Sequence, residues 1–209
     1  MQQENNQQSN AASSSRKTDR NTLNFQSSIM LYLHDFVWLL AVILLVFLFA
    51  FRVVVVSGPS MNNTLLDGDY LLLVDNLLCG QPQQGDIVVA SKETFRSGEP
   101  IVKRVIATEG QEVYIDFAQG IVYVDGIALD EPYTLTPTTL QGDIELPLKV
   151  EPGCLFVMGD NRNNSSDSRI VEIGLVDCRE ILGKAVFLIL PGTDGGEESR
   201  DFSRIGVLS

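Results

Sequence analysis

The sequence predicts a mostly β protein, a barrel-like antiparallel β domain behind one N-terminal transmembrane helix. Three observations carry this. Apolar residues run almost unbroken over positions 36–51. Beyond position 53, short runs rich in β-branched and apolar residues are separated by Gly, Pro, Asn and Asp. No later segment repeats its apolar residues with the 3.6-residue period of a helix. Many short strands at close spacing point to a barrel-like antiparallel sheet.

Taken in order, residues 1–29 are rich in Gln, Asn and Ser and nearly free of large apolar side chains. Such a segment buries too little surface to offset its ordering entropy, so a disordered tail is expected. The apolar run is short of the roughly 20 residues a membrane span needs. Flanking residues on either side supply the remainder, giving an anchor over 30–52. A cleaved secretory signal is the competing reading, but a long polar leader and no small-x-small site after the run favour a retained anchor. Arg16, Lys17 and Arg20 precede the span and Arg52 alone follows it closely. That excess of positive charge assigns the N-terminus to the cytoplasm and the rest of the chain to the outside.

Residues 53–191 suit one compact domain. Strands are expected over 70–74, 86–90, 101–107, 112–115 and 121–124, and later over 154–158 and 184–189. Asp125-Gly126 between apolar runs reads as a tight hairpin turn, because this pair tolerates positive φ. Residues 130–148, with several Thr and Pro, read as a loop-rich excursion, and 192–209 as a loose C-terminal tail.

Composition excludes several functions. With 27 acidic against 15 basic residues and a net charge of −12, nucleic acid is not a partner. The same charge argues against an anionic lipid surface as the main target of the soluble domain. Cys79, Cys154 and Cys178 are too few and too irregular for a disulfide framework. The one histidine, His34, lies before the apolar run. No zinc site is expected in the soluble domain, and a Ser–His–Asp site there is impossible.

Three segments remain as candidates for chemistry. Ser60 follows Gly58-Pro59 only a few residues beyond the span, where Pro59 stiffens the approach and Met61 resumes an apolar surface. A serine in this setting is often only a turn residue. Lys103 lies in an expected strand whose alternation gives it the face of Ile101 and Val105, with Val102 and Arg104 on the other. A lysine on a buried face has a lowered pKa and can serve as a neutral base; a snorkelling lysine at a sheet edge is the plainer alternative. The third segment, residues 158–169, is a polar loop dense in short hydrogen-bonding side chains. Asp167 with Arg169, or Asp160 with Arg162, could form ion pairs that hold it.

Together, Ser57-Gly58-Pro59-Ser60-Met61 with Thr64-Leu65 and Gly68-Asp69, then Gly85-Asp86-Ile87-Val88, Val102-Lys103-Arg104-Val105, and the run over 159–169 resemble the bacterial type I signal peptidases. The order, the spacing and the N-terminal anchor all match. The resemblance implies a membrane-anchored serine endopeptidase with Ser60 as nucleophile and Lys103 as general base. It implies that Ser165 orients the lysine amine and that Asp167 and Arg169 form a supporting ion pair. Val54, Val56, Met61, Leu65, Ile101 and Val102 fall where that family lines shallow pockets for the small side chains of Ala-x-Ala sites. Three positions depart from the family pattern. Gly58 stands where some members carry a second oxyanion-hole hydroxyl, which leaves that donor to Ser57, to water, or to nothing at all. Asn62-Asn63 precede Thr64 where a proline is usual, and Asn163 stands where an aspartate is common.

The resemblance further implies no metal and no cofactor. Its partners would be signal peptides of secreted preproteins, membrane lipid and the protein-export machinery. Its location would be the plasma membrane, single-pass, with the N-terminus cytoplasmic and the peptidase domain extracytoplasmic. Two rival readings are a catalytically silent anchored β domain that binds extended peptides, and a dedicated self-processing Ser–Lys peptidase.

Overall fold

The computed structural model describes residues 30–193 and 200–208, with Leu77 and Cys79 described by their backbone alone. The tail expected over 1–29 lies outside the described residues. The chain divides into two compact units, residues 1–48 and 49–209.

The described part of the first unit is helical. Helix α1, Met30–Ala50, has 21 residues and is long and apolar enough to cross a membrane. At 1.5 Å per residue it spans ~31 Å, the thickness of a hydrocarbon core. The anchor was expected to run to Arg52. It ends at Ala50 because Phe51 and Arg52 already pair as strand with Val74 and Leu73.

The second unit is almost entirely antiparallel β. Its elements are β1 (Phe51–Val55), β2 (Tyr70–Asp75), the short α2 (Asn76–Cys79), β3 (Ile87–Ser91), β4 (Pro100–Ala107), β5 (Glu112–Asp116) and β6 (Ile121–Val124). They continue with β7 (Ile127–Ala128), β8 (Leu148–Lys149), β9 (Cys154–Met158), β10 (Val176–Asp177), β11 (Ile181–Leu190) and β12 (Gly206–Val207). One sheet has eight strands in the order β1-β2-β11-β3-β4-β9-β10, with β12 also on β11; the other has four, β7-β6-β5-β8. Among the described residues both sheets stay open, with β1 and β10 at the ends of the larger one, so the expected barrel-like domain is mostly antiparallel β and not a closed barrel.

Local chemistry explains the elements. In β2, Leu71, Leu73 and Asp75 are buried while the intervening residues are less so, the period of a strand with one covered face. Asp125 and Gly126 take φ of 53° and 78°, which closes the two-residue hairpin pairing Val124 with Ile127. Three apolar clusters form the core. Ile87 and Val89 of β3 enter one with Met61, Leu65 and Leu73, while Val88 and Ala90 enter a second with Val105, Val157 and Ile181. A third joins the two sheets through Ile106, Val113, Val122 and Phe156. Strands β3 and β4 are therefore covered on both faces, the setting in which a polar side chain is most perturbed.

Residues 129–147 contain neither helix nor strand. The segment expected as a loose tail is in part docked: β12 pairs Gly206 with Leu188 and Val207 with Phe187. Arg204 then reaches the fully buried Asp69, its Nη2 2.7 Å from Oδ2. The acidic composition near 194–198 hid this anchor from the sequence. Cys154 and Cys178 are free thiols.

Candidate active site

Ser60 and Lys103 meet. Lys103 Nζ lies 2.8 Å from Ser60 Oγ and donates to the Val102 carbonyl at 3.0 Å. They come from segments 43 residues apart. Lys103 is held by β4, whose partner β3 pairs it with Val88. Its residue is only 4% exposed. Burial pulls its pKa down from 10.5 to about 8, against the opposing pull of the Asp167 carboxylate. Arg96 adds to the lowering, Asp160 opposes it, and Arg169 lowers it further. Desolvation is the dominant cause, because an ammonium removed from water loses more than these distant charges return.

The polar run over 159–169 packs directly under the serine. Asn161 N–H donates to the Ser60 carbonyl at 3.0 Å, and Asn161 Nδ2 to the Pro59 carbonyl at 3.1 Å. Gly159 is glycine because nothing else fits: a Cβ there would stand 2.4 Å from Ser60 O and 2.3 Å from Ser165 Oγ. Gly58 is glycine for a different reason, a φ of +86°, and its N–H donates to Asp67 at 2.7 Å. The turn that presents Ser60 is thus fixed from both sides.

Asp167 and Arg169 form the expected ion pair, with Nε and Nη2 donating at 2.8 and 2.9 Å. Asp167 also accepts from Gly159 N–H at 3.1 Å, tying the pair to the loop under the nucleophile. The alternative pair, Asp160 with Arg162, does not form. Asp160 instead accepts two bonds from Arg104, at 2.9 and 2.8 Å, and a third from the Thr64 hydroxyl. Arg162 turns to Glu131 and to the Thr138 hydroxyl. Both guanidiniums face Tyr133, Arg104 at 4.0 Å from the ring centroid. Burial and the Glu131 carboxylate raise the Tyr133 pKa. This buried network was invisible in sequence, since Arg104 and Asp160 are 56 residues apart. The one available signal was the density of charge within otherwise apolar strands.

Ser165 differs from its expected contact. Its Oγ is buried without a hydrogen-bond partner and is not bonded to the lysine amine, whose donors go to Ser60 and Val102. Asn163, the departure from the family aspartate, clamps the 136–140 loop. Its Oδ1 accepts from the N–H groups of Thr139 and Leu140, and its Nδ2 donates to Thr136 Oγ1 and the Pro137 carbonyl. An aspartate could make the first two bonds and accept from the Thr136 hydroxyl, but it has no proton to give the Pro137 carbonyl.

The dyad opens into a groove of about 530 Å³ that is also lined by Val54, Val56, Ile101 and Val102. Ser57 and Ser165 also line it. Met61 and Leu65 do not. Both are fully buried in the core cluster beneath, packed with Val56 and Leu73, because their turn points them inward under β1 and β2. Four of the six expected pocket residues therefore face the groove, and the other two support its floor.

A family model described as signal peptidase, peptidase S26, matches residues 29–190. "Probable signal peptidase I-1" of Synechocystis sp. is 37% identical over 150 residues, covering 68% of this chain and 72% of that protein. Signal peptidase I of Bacillus caldolyticus is 40% identical over 159 residues, covering 69% and 82%. Signal peptidase I of Bacillus licheniformis is 31% identical over 183 residues, covering 83% and 95%.

Proposed function

This chain belongs to the signal peptidase family, peptidase S26, and on that premise we propose that it removes signal peptides from translocated preproteins with a Ser60–Lys103 dyad. The observation that carries the mechanism is the 2.8 Å approach of Ser60 Oγ to an amine that is almost wholly buried. With a pKa of about 8, a useful fraction of Lys103 is neutral near physiological pH. The neutral amine accepts the Ser60 proton, and the freed oxygen attacks the scissile carbonyl. The Ser60 N–H and one neighbouring donor, with Ser57 the nearest side-chain candidate in sequence, stabilise the oxyanion. The ammonium then protonates the leaving amine, and the amine finally activates the water that hydrolyses the acyl-enzyme. No step requires a metal or cofactor.

Small apolar walls at Val54, Val56, Ile101 and Val102 favour small side chains just before the cut, as an Ala-x-Ala site supplies. Strand β1 is a sheet edge, so an extended peptide can lie along it. The chain is anchored by α1, and the charge bias across it favours a single-pass topology with the N-terminus cytoplasmic. On that topology the peptidase domain is extracytoplasmic, at the plasma membrane, in reach of membrane lipid and of the export machinery.

The test is cleavage of an Ala-x-Ala preprotein by the detergent-solubilised full chain beside its Ser60→Ala and Lys103→Ala variants. Cleavage after the second alanine by the parent alone supports the dyad. An inactive parent on good substrate favours the silent binding domain, and a parent that cuts only itself favours a self-processing enzyme. Equal activity in all three would sink the dyad.

A further inference from the structure

Charge is scarce along the groove. Apart from Lys103, the charged residues lining it are Arg96 and Glu99. Both stand on the connection between β3 and β4, which is fastened on either side of Arg96. Ser91 Oγ donates to the Gly98 carbonyl at 2.7 Å, and Thr94 Oγ1 to the Glu172 carbonyl at 2.8 Å. Phe95 is 6% exposed and packs into the second core cluster.

Between these anchors the backbone is strained. Arg96 and Ser97 have φ of 45° and 57°, a region that residues with a Cβ rarely adopt. Strain of this kind persists only where the surroundings enforce it, and it gathers at working sites. Its effect here is to turn Arg96 out of the core while its neighbour stays in. The Arg96 side chain is 65% exposed, its guanidinium 5.1 Å from the Phe95 ring centroid and 3.6 Å from the Glu99 carboxylate. An exposed pair at that separation is weak, so a carboxylate from a substrate can replace Glu99 at little cost.

The position along the groove follows from β4. At ~3.3 Å per residue, Glu99 stands ~13 Å of strand before Lys103. A peptide extended parallel to β4, with its scissile bond at Ser60, reaches that level about four to six residues before the cut. Of the two charges, Arg96 is the one felt at the dyad, where it helps hold the Lys103 pKa down. Arg96 also stands the more open of the two, its side chain 65% exposed against 53% for Glu99.

We propose that Arg96 is a specificity-determining residue whose guanidinium receives a substrate carboxylate four to six residues before the cut and repels a lysine or arginine there. This deepens the peptidase reading and rests on it.

The experiment uses the full chain in detergent at low ionic strength. Peptides share one Ala-x-Ala site and differ in a single residue, Glu, Gln or Lys, placed fourth, fifth or sixth before the cut. At one of these positions the parent should cleave the Glu peptide about three- to tenfold better than Gln in kcat/KM, with Lys poorer still. The difference should lie mainly in KM and shrink with added salt. Ratios are taken within each variant, so a general loss of activity cancels. Arg96→Gln should erase the preference, Arg96→Glu should invert it, and Arg96→Lys should keep part of it. Cleavage by the parent without charge discrimination at any of the three positions, or an acidic preference that survives Arg96→Glu, overturns this inference and leaves the peptidase reading standing. Failure of the parent to cut any peptide removes both.

Discussion

Lys103→Met should give a protein that is inactive and more stable. The parent side chain is an amine confined to a site where only 4% of the residue is exposed. Its pKa falls from 10.5 in the unfolded chain to about 8 in the folded one. At 1.36 kcal/mol per unit, that drop corresponds to roughly 3 kcal/mol. The sign follows from proton counting. Between the two values the unfolded chain binds more protons than the folded one, so stability rises with pH across that interval. Below about 8 the penalty is complete, and above about 10.5 it has vanished. Methionine has a similar length and no charge, so it escapes the penalty. It also forfeits the contacts to Ser60 Oγ and the Val102 carbonyl, two bonds of about 1 kcal/mol each. The balance is a gain of about 1 kcal/mol at pH 7, or roughly 2–4 °C in Tm for a domain of this size. The assay is thermal unfolding of the β domain in the detergent-solubilised full chain, across pH 6–11. The gain should shrink through pH 8–10 and disappear or reverse above that. A variant less stable than the parent at pH 7, or a difference independent of pH, would refute the idea that a buried amine is held against its desolvation cost.

In steady-state kinetics, kcat/KM for an Ala-x-Ala substrate should fall about tenfold per pH unit below the Lys103 pKa and level off above it, because only the neutral amine is a base; a flat profile from pH 6 to 9 would contradict this. Asp160→Asn removes the charge opposite the buried Arg104 and should cost about 3–5 kcal/mol, read as a lowered denaturation midpoint. Asn163→Asp retains the acceptor side of its clamp but loses the donor to the Pro137 carbonyl, against which the new carboxylate is set. Limited proteolysis should then cut residues 136–140 faster, and an unchanged digestion pattern would count against the clamp. Arg204→Met leaves the buried Asp69 short of its two guanidinium bonds and should destabilise by about 3 kcal/mol. A variant melting with the parent would mean that the C-terminal segment contributes nothing.

The legibility of this chain divides along physical lines. Strands such as β6 and β9 were readable because their apolar runs are bounded by turn residues. The hairpin at Asp125-Gly126 was readable because positive φ has few sequence solutions. β1 was not read as a strand, since its residues look like a continuation of the apolar span and only pairing with β2 makes them β. The C-terminal β12 was missed because two residues carry no periodicity. At the site, Ser60, Lys103, Asp167 and Arg169 stood out by motif. The placing of Met61 and Leu65 did not, because a turn of unknown direction decides whether an apolar side chain faces a groove or a core.

By itself, the sequence determined which chemistry is possible. One histidine ahead of the apolar run excludes a Ser–His–Asp site in the β domain, and alternation along residues 101–105 puts Lys103 on an apolar face. Those conclusions depend on residue identity and local period, which the linear chain contains in full. Only the tertiary structure decided who pairs with whom: Asp160 with Arg104 and not Arg162, Asp69 with Arg204, and Arg96 at the rim of the groove. Pairings between residues tens of positions apart depend on register and on the direction of turns. They arise because a buried charge must find whichever opposite charge the fold brings within reach, and sequence distance places almost no limit on that choice.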